Sequence, residues 1–183
     1  MKILIGCEFS GRVRQAFRAH GHDAWSCDLL PAEDQSVFHI QDNVLAVLNA
    51  GWDLAIFHPP CTYLCGSGAR WWATRGREQQ EALEFVRLLL AAPIPHIALE
   101  NPVGKISTAI APPSQIIQPW QYGHPEMKTT CLWYKNLPPL QPTDIVTGRT
   151  QRLWRLPPSP DRWKERSRTY AGIAHAMAAQ WGD

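Results

Sequence analysis

The sequence predicts an α/β fold, a doubly wound and mostly parallel sheet in a single domain, and three observations carry that reading. Strand-like and helix-like pieces alternate along the chain. The short runs DLAIF (53–57) and HIALE (96–100) are almost wholly apolar, as strands covered on both faces are. Polar residues and prolines follow directly on the predicted strands, at the ends where such sheets gather ligands.

The elements follow in order. KILIG (2–6) is a short apolar strand. SGRVRQAFRAHG (10–21) predicts a helix with Ser10 as N-cap, Val13, Ala16 and Phe17 on one face, and Gly21 where it stops. HDAWSCD (22–28) predicts a second strand ending on an acid, and NVLAVLNAG a short helix that Asp42 in IQDNV is placed to cap. Between the strands at 53–57 and 96–100, EQQEALEFVRLLLAA (78–92) puts Ala82, Phe85, Val86 and Leu89 at helical spacing. TTCLWY (129–134) predicts a late strand. The stretches NLPPLQPT and RLPPSPDRW read as irregular because of their prolines, and TYAGIAHAMAAQW (169–181) closes the chain with Tyr170, Ile173, Ala174, Met177, Ala178 and Trp181 on one stripe. Residues 1–140 form the expected core, and 141–183 a short proline-rich basic segment with a C-terminal helix completing the same domain.

Composition narrows the function classes. No run reaches the length of a membrane span and the N-terminus does not read as a signal peptide, so a cytoplasmic protein is expected. Five cysteines at irregular spacing, with no C-x-x-C, indicate reduced thiols, no disulfide framework and no metal site. The net charge of +2 hides an asymmetry: residues 149–168 hold seven Arg or Lys against Asp161 and Glu165, which suits a polyanionic partner.

Four polar signals sit at predicted strand ends: Glu8, Phe9, Ser10 and Gly11 after the first strand, Asp28 ending the second, Pro59, Pro60 and Cys61 after DLAIF, and Asn101 with Pro102 after Glu100. A carboxylate such as Asp28 accepts hydrogen bonds from both hydroxyls of a ribose. The first turn has one glycine and lacks the G-x-G-x-x-G pattern that lets backbone approach a pyrophosphate. A nucleoside ligand without pyrophosphate, such as S-adenosylmethionine, therefore fits better than a dinucleotide.

Taken in order, CEFSG, CD at 27–28, DLAIFHPPC and ALENP resemble the motifs of the DNA cytosine-5 methyltransferases, over most of residues 3–134. The resemblance implies the Rossmann-like methyltransferase fold, S-adenosyl-L-methionine as cofactor and a nucleic acid, double-stranded DNA foremost, as partner. It implies that Cys61 adds to C6 of cytosine, that Glu100 serves N3 of the base and that Asn101 positions it. Phe9 would stack on adenine, Ser10, Gly11 and Pro59 would line the cofactor site, Asp28 would take the ribose and Asp42 the adenine amino group. Substrate contacts would come from Pro60 and Lys128, and from Arg70, Trp71, Trp72 and Arg75 on a glycine-punctuated loop. A flipped cytosine leaves a gap that an aromatic plane can fill.

The departures are definite. Phe57-His58 stands where the family has Gly-Gly before Pro-Pro-Cys, and in YGHPEMKTT (122–130) Glu126, Lys128 and Thr130 replace a glutamine and two arginines. Gly172 is followed by Ile173 instead of an asparagine. Only a few tens of residues separate Tyr134 from the last helix, where the family inserts a long target recognition domain, so short or relaxed recognition, or help from a partner or second subunit, is expected. RNA, single-stranded DNA or a free nucleotide as substrate remains open, as do an amino-methyltransferase and a non-catalytic binding homologue.

Overall fold

The computed structural model describes residues 1–182. Seven strands, β1 (Lys2–Gly6), β2 (Asp23–Asp28), β3 (His39–Gln41), β4 (Leu54–Phe57), β5 (His96–Pro102), β6 (Gln115–Ile117) and β7 (Thr130–Lys135), form one sheet in the order β3-β2-β1-β4-β5-β7-β6. The first five are parallel, with Ile5 opposite Ile56 and Ile56 opposite Ala98. β7 runs antiparallel to both β5 and β6. The order reverses between β1 and β4, which makes that junction the switch point of the sheet.

Both faces are covered, and the pleat decides which residue goes where. Ile3, Ile5, Leu54 and Ile56 face one layer with helices α1 (Arg12–Ala19) and α6 (Ala171–Trp181), while Leu4, Ala55 and Phe57 face the other with α2 (Gly76–Leu90). Each fully buried side chain of this kind contributes about 1.5–3 kcal/mol, so β1 and β4, buried on both sides, anchor the domain. The stripe expected on α6 is buried throughout. On α2 the inward residues are Leu83, Val86 and Leu89, and Ala82 and Phe85 turn aside toward a cavity. Gly172 in α6 permits the closest backbone approach, since a Cβ there would stand 1.8 Å from the Tyr122 carbonyl oxygen.

Several local expectations are corrected. Ser10 is not the cap of α1: the N-cap is Gly11, in the left-handed region at φ 70°, and the buried Glu8 carboxylate takes the Val13 and Arg14 amides at 2.7 and 3.3 Å. Two carboxylate oxygens satisfy two helix-start amides where a hydroxyl would satisfy one. The segment after Asp42 is a single 3₁₀ turn, Val44–Val47, capped by the Asn43 side chain on the Leu45 amide. RLPPSPDRW (155–163) is not irregular throughout, because α4 (Arg152–Arg155) and α5 (Arg162–Ser167) take in its two ends, on either side of its prolines. A four-residue helix, α3 (Ile106–Ala109), completes the set. Among the described residues, no helix is long and apolar enough to cross a membrane.

Candidate active site

A cavity of about 490 Å³ opens at the carboxyl ends of β1 to β4, the switch-point position. That volume suits a ligand of cofactor size. Cys7 enters it after β1, Asp28 at the end of β2, Asp42 after β3, Pro60 and Thr62 after β4, with Phe85 of α2 as an apolar wall. Burial raises the Asp28 carboxyl above its usual range, against the Leu30 amide that bonds it at 2.9 Å. Burial likewise pushes the Cys7 thiol up to about 12, so Cys7 is an uncharged wall.

Cys61 sits between Pro60 and Thr62, both of which line this cavity. The turn carrying it is fastened to the neighbouring strand, because buried Asn101 donates from Nδ2 to the Pro59 carbonyl at 2.8 Å. Glu100, one residue earlier on β5, is held by His58, whose Nδ1 lies 3.2 Å from Oε2. Burial pushes the Glu100 carboxyl up, but the His58 hydrogen bond and the Lys128 ammonium outweigh it and bring the group below the ordinary carboxylate range. Glu100 is near enough to Cys61 to help raise that thiol.

The chain makes a helical turn after the prolines, with the Cys65 amide on the Cys61 carbonyl at 2.9 Å, and the two sulfurs share a hydrogen bond. That bond lowers the Cys65 thiol to about 5 against its burial, with help from the Ser67 hydroxyl at 3.1 Å, the Gly68 amide and the Arg166 guanidinium. The same bond, then burial, raises Cys61. The two thiols are coupled, so that a proton on one favours the thiolate form of the other. The i, i+4 spacing of the two cysteines is the only trace of this in the sequence.

The first turn departs from expectation. Phe9 does not line the cavity: it is buried against Trp163 of α5, ring centroids 5.5 Å apart. Left-handed Cys7, at φ 59°, turns the chain so that its own side chain meets the cavity and Phe9 points toward the C-terminal segment. Ser10 hydrogen-bonds Glu8 and Gly11 bends the helix start, so both serve the turn. Pro59 contributes its carbonyl to Asn101 and does not line the cavity, whereas Pro60 does.

Arg70, Trp71, Trp72 and Arg75 stand beyond the thiol, and the segment is a 3₁₀ helix over Gly66–Trp71 rather than an open loop. Trp71 is 51% exposed with Arg70 above it, while Trp72 is half-buried under Lys105. Arg75 stacks over Tyr63. Lys128 reaches the site from the chain before β7: its Nζ donates to the Arg166 carbonyl at 3.0 Å, and its charge acts on both Cys61 and Glu100. Thr130 is buried in β7 and bonds the Lys128 carbonyl. Glu126 joins the segments around it, accepting from the Tyr170 hydroxyl at 2.7 Å and from Arg152 Nε at 2.9 Å.

No family model matches the chain, and no curated protein matches it in sequence. Solved structures do match in shape. One is a prophage-encoded E. coli protein assigned as a DNA modification methyltransferase, at TM-score 0.52 and 16% identity over 79% of this chain and 52% of that one. Others are the S. pombe Dnmt2 methyltransferase, at 0.48 and 15% over 75% and 50%, and a Spodoptera frugiperda DNMT2 mutant, at 0.46 and 16% over 80% and 56%. The chain spans about half the length of these structures. The first likeness establishes a shared fold, a mixed α/β domain on a seven-stranded, mostly parallel sheet.

Proposed function

We propose that the chain is an S-adenosylmethionine-dependent methyltransferase that modifies C5 of cytosine in nucleic acid, duplex DNA foremost, through a covalent bond from Cys61 to C6. One observation carries the reading: a thiol on a proline-stiffened turn, pinned by Asn101, stands between two cavity-lining residues and beside a buried acid at the end of the next strand. The cavity fits the cofactor in size and in having Asp28 and Asp42 to accept from ribose hydroxyls and an adenine amino group. When bound, S-adenosylmethionine supplies an electrophilic methyl group.

Cytosine C5 is a weak nucleophile, so the residues must first make it a strong one. Cys61 gives up its proton to solvent as its sulfur bonds to C6, while the C5–C6 π electrons shift into the ring. Glu100 delivers a proton to N3, which leaves a neutral enamine with a nucleophilic C5. Once C5 carries the methyl group, its hydrogen leaves to solvent as a proton. The C6–S bond then breaks, Cys61 departs as thiolate, and N3 returns its proton to Glu100. Asn101 acts before any of this by holding the turn, where a misplacement of about 1 Å can cost ~100-fold in rate.

The test is trapping. Fluorine at C5 blocks the final proton loss, so duplex DNA containing 5-fluorocytosine is expected to form a denaturation-resistant adduct with the protein in the presence of cofactor. Peptide mapping should place it on Cys61, and Cys61→Ser should give none. An adduct of equal yield with Cys61→Ser, or methyl transfer to another atom of the base on nucleoside analysis, overturns the reading. Parallel incubations with labelled cofactor and duplex DNA, single-stranded DNA, RNA or dCMP identify the substrate.

A further inference from the structure

His58 precedes the two prolines, and its ring is almost fully out of solvent, with the side chain 7% exposed. Its backbone amide donates to the Gly6 carbonyl at 2.9 Å, which fixes it at the junction of β1 and β4. Nδ1 is committed to Glu100, itself 13% exposed. Nε2 is buried and has no hydrogen-bond partner. Its influence also reaches Glu8, buried at the start of α1, where burial raises the carboxyl and His58 is the strongest opposing influence. The imidazole therefore bonds one acid, Glu100, and acts electrostatically on a second, Glu8.

Packing alone gives no reason for an imidazole here. A buried ring nitrogen without a partner is unfavourable, and the adjoining strand residues are apolar. The chemistry proposed above does give one. Glu100 must hand a proton to N3, yet beside His58 and Lys128 it is ionised in the resting protein. A proton has to be stored within reach of it. The groups that set where it rests are Glu100 from β5, Glu8 from the turn after β1, Lys128 from the chain before β7, and Cys61 on the same segment, with Arg14 acting through Glu8.

We propose that His58 stores the proton that Glu100 lends to the target base, as a positioning residue that acts through Glu100. This rests on the methyltransferase reading. Before attack, the imidazolium donates from Nδ1 to the Glu100 carboxylate. As sulfur bonds to C6 and charge builds toward N3, Nδ1 gives its proton to Glu100, Glu100 gives one to N3, and His58 becomes neutral. Elimination reverses both transfers, so each turnover leaves the pair as it began.

The test compares wild type with His58→Gln, which keeps a hydrogen-bond donor but cannot carry a proton, and with His58→Gly, the smaller residue of the resembling family. Both are checked for folding by thermal melts. Wild-type kcat is expected to fall on the alkaline side, where the stored proton is lost. His58→Gln should lose about 100-fold in kcat at neutral pH and lose that alkaline fall, with KM for S-adenosylmethionine changed less than about twofold. Wild-type kcat and an unchanged profile in both folded variants overturn the proposal.

A second readout needs no turnover. In protein with ¹⁵N-labelled histidine at fixed neutral pH, the His58 resonance, identified by its loss in His58→Gln, should move toward the neutral imidazole in Glu100→Gln, because the carboxylate 3.2 Å from Nδ1 that favours imidazolium is gone. An unmoved resonance means the two groups are not coupled and also overturns it. If wild type transfers no methyl group to any nucleic acid while the coupling is found, the functional reading fails and the buried pair stands.

Discussion

Glu100 and Asp28 are both acids at the carboxyl ends of parallel strands, both are shielded from solvent, and they are displaced in opposite directions. Asp28 ends β2 facing the cavity, and burial raises its carboxyl because only backbone amides and the more distant His39 oppose it. Glu100 ends its strand's parallel run on β5 with His58 bonded to it and Lys128 nearby, and these cations overcome a larger burial. Burial fixes the size of the penalty on the charged form, and the neighbouring cation decides which form wins. One acid faces the cavity with no cation bonded to it, while the other is already paired with His58.

Exchanging each acid for a neutral residue should separate the two roles. Glu100→Gln is expected to lower turnover by ~10²–10⁴-fold with little change in cofactor affinity, because the group acts in the transition state. Single-turnover kinetics beside calorimetry measure the split, and unchanged turnover refutes the role. Asp28→Ala should do the reverse and weaken S-adenosylmethionine binding by about 1.5–3 kcal/mol through lost ribose hydrogen bonds. The cofactor needs the carboxylate, and the Asp28 carboxyl is raised, so wild-type affinity should decline with acid from a higher pH than an ordinary aspartate would give. An affinity flat to pH 4 in calorimetry contradicts this.

The thiols repeat the comparison at smaller scale, since two like groups one helical turn apart are displaced in opposite directions. Cys65→Ser removes the thiol coupled to Cys61, and on the proposed mechanism turnover near neutrality should fall about 10-fold and recover as pH rises toward the range where an isolated buried thiol ionises. No recovery on the alkaline side means Cys65 matters for packing alone. Among the aromatics, Trp71 is open and Trp72 is held. Trp71→Ala should reduce methylation of a paired cytosine about 5-fold, near the low end of base-stacking energies, and spare a mismatched one. Equal losses on both substrates remove the base-flipping role.

Residues that carry their own local signal were legible in the sequence. The double-sided strands DLAIF and HIALE, the apolar stripe of α6, and the thiol and the acid near the ends of two buried strands all follow from periodicity and from where a sheet must end. Short helices were hidden: α4 and α5 flank Pro157, Pro158 and Pro160, and a helix of four to six residues has too few turns to display a face. β3 and β6, three residues each, have the same difficulty. The direction of β7 is absent from its residues, because an apolar strand reads alike either way and only the chain's route after β6 reverses it.

The chain by itself determined that two faces of one sheet would be covered, that Cys61 and Glu100 would emerge at the same edge, and that acids would stand at the strand ends there, where Asp28 and Asp42 line the cavity. Only the tertiary structure decided what each of those groups has for company. His58 meets Glu100 from 42 positions away, Lys128 joins them from before β7, and left-handed Cys7 turns Phe9 out of the cavity onto Trp163. Local pattern reports how much apolar surface a segment must hide, which is a property of neighbours in sequence. The protonation state of a buried acid depends on charges within a few ångströms in space, which β1, β4 and β5 bring together only once they pair.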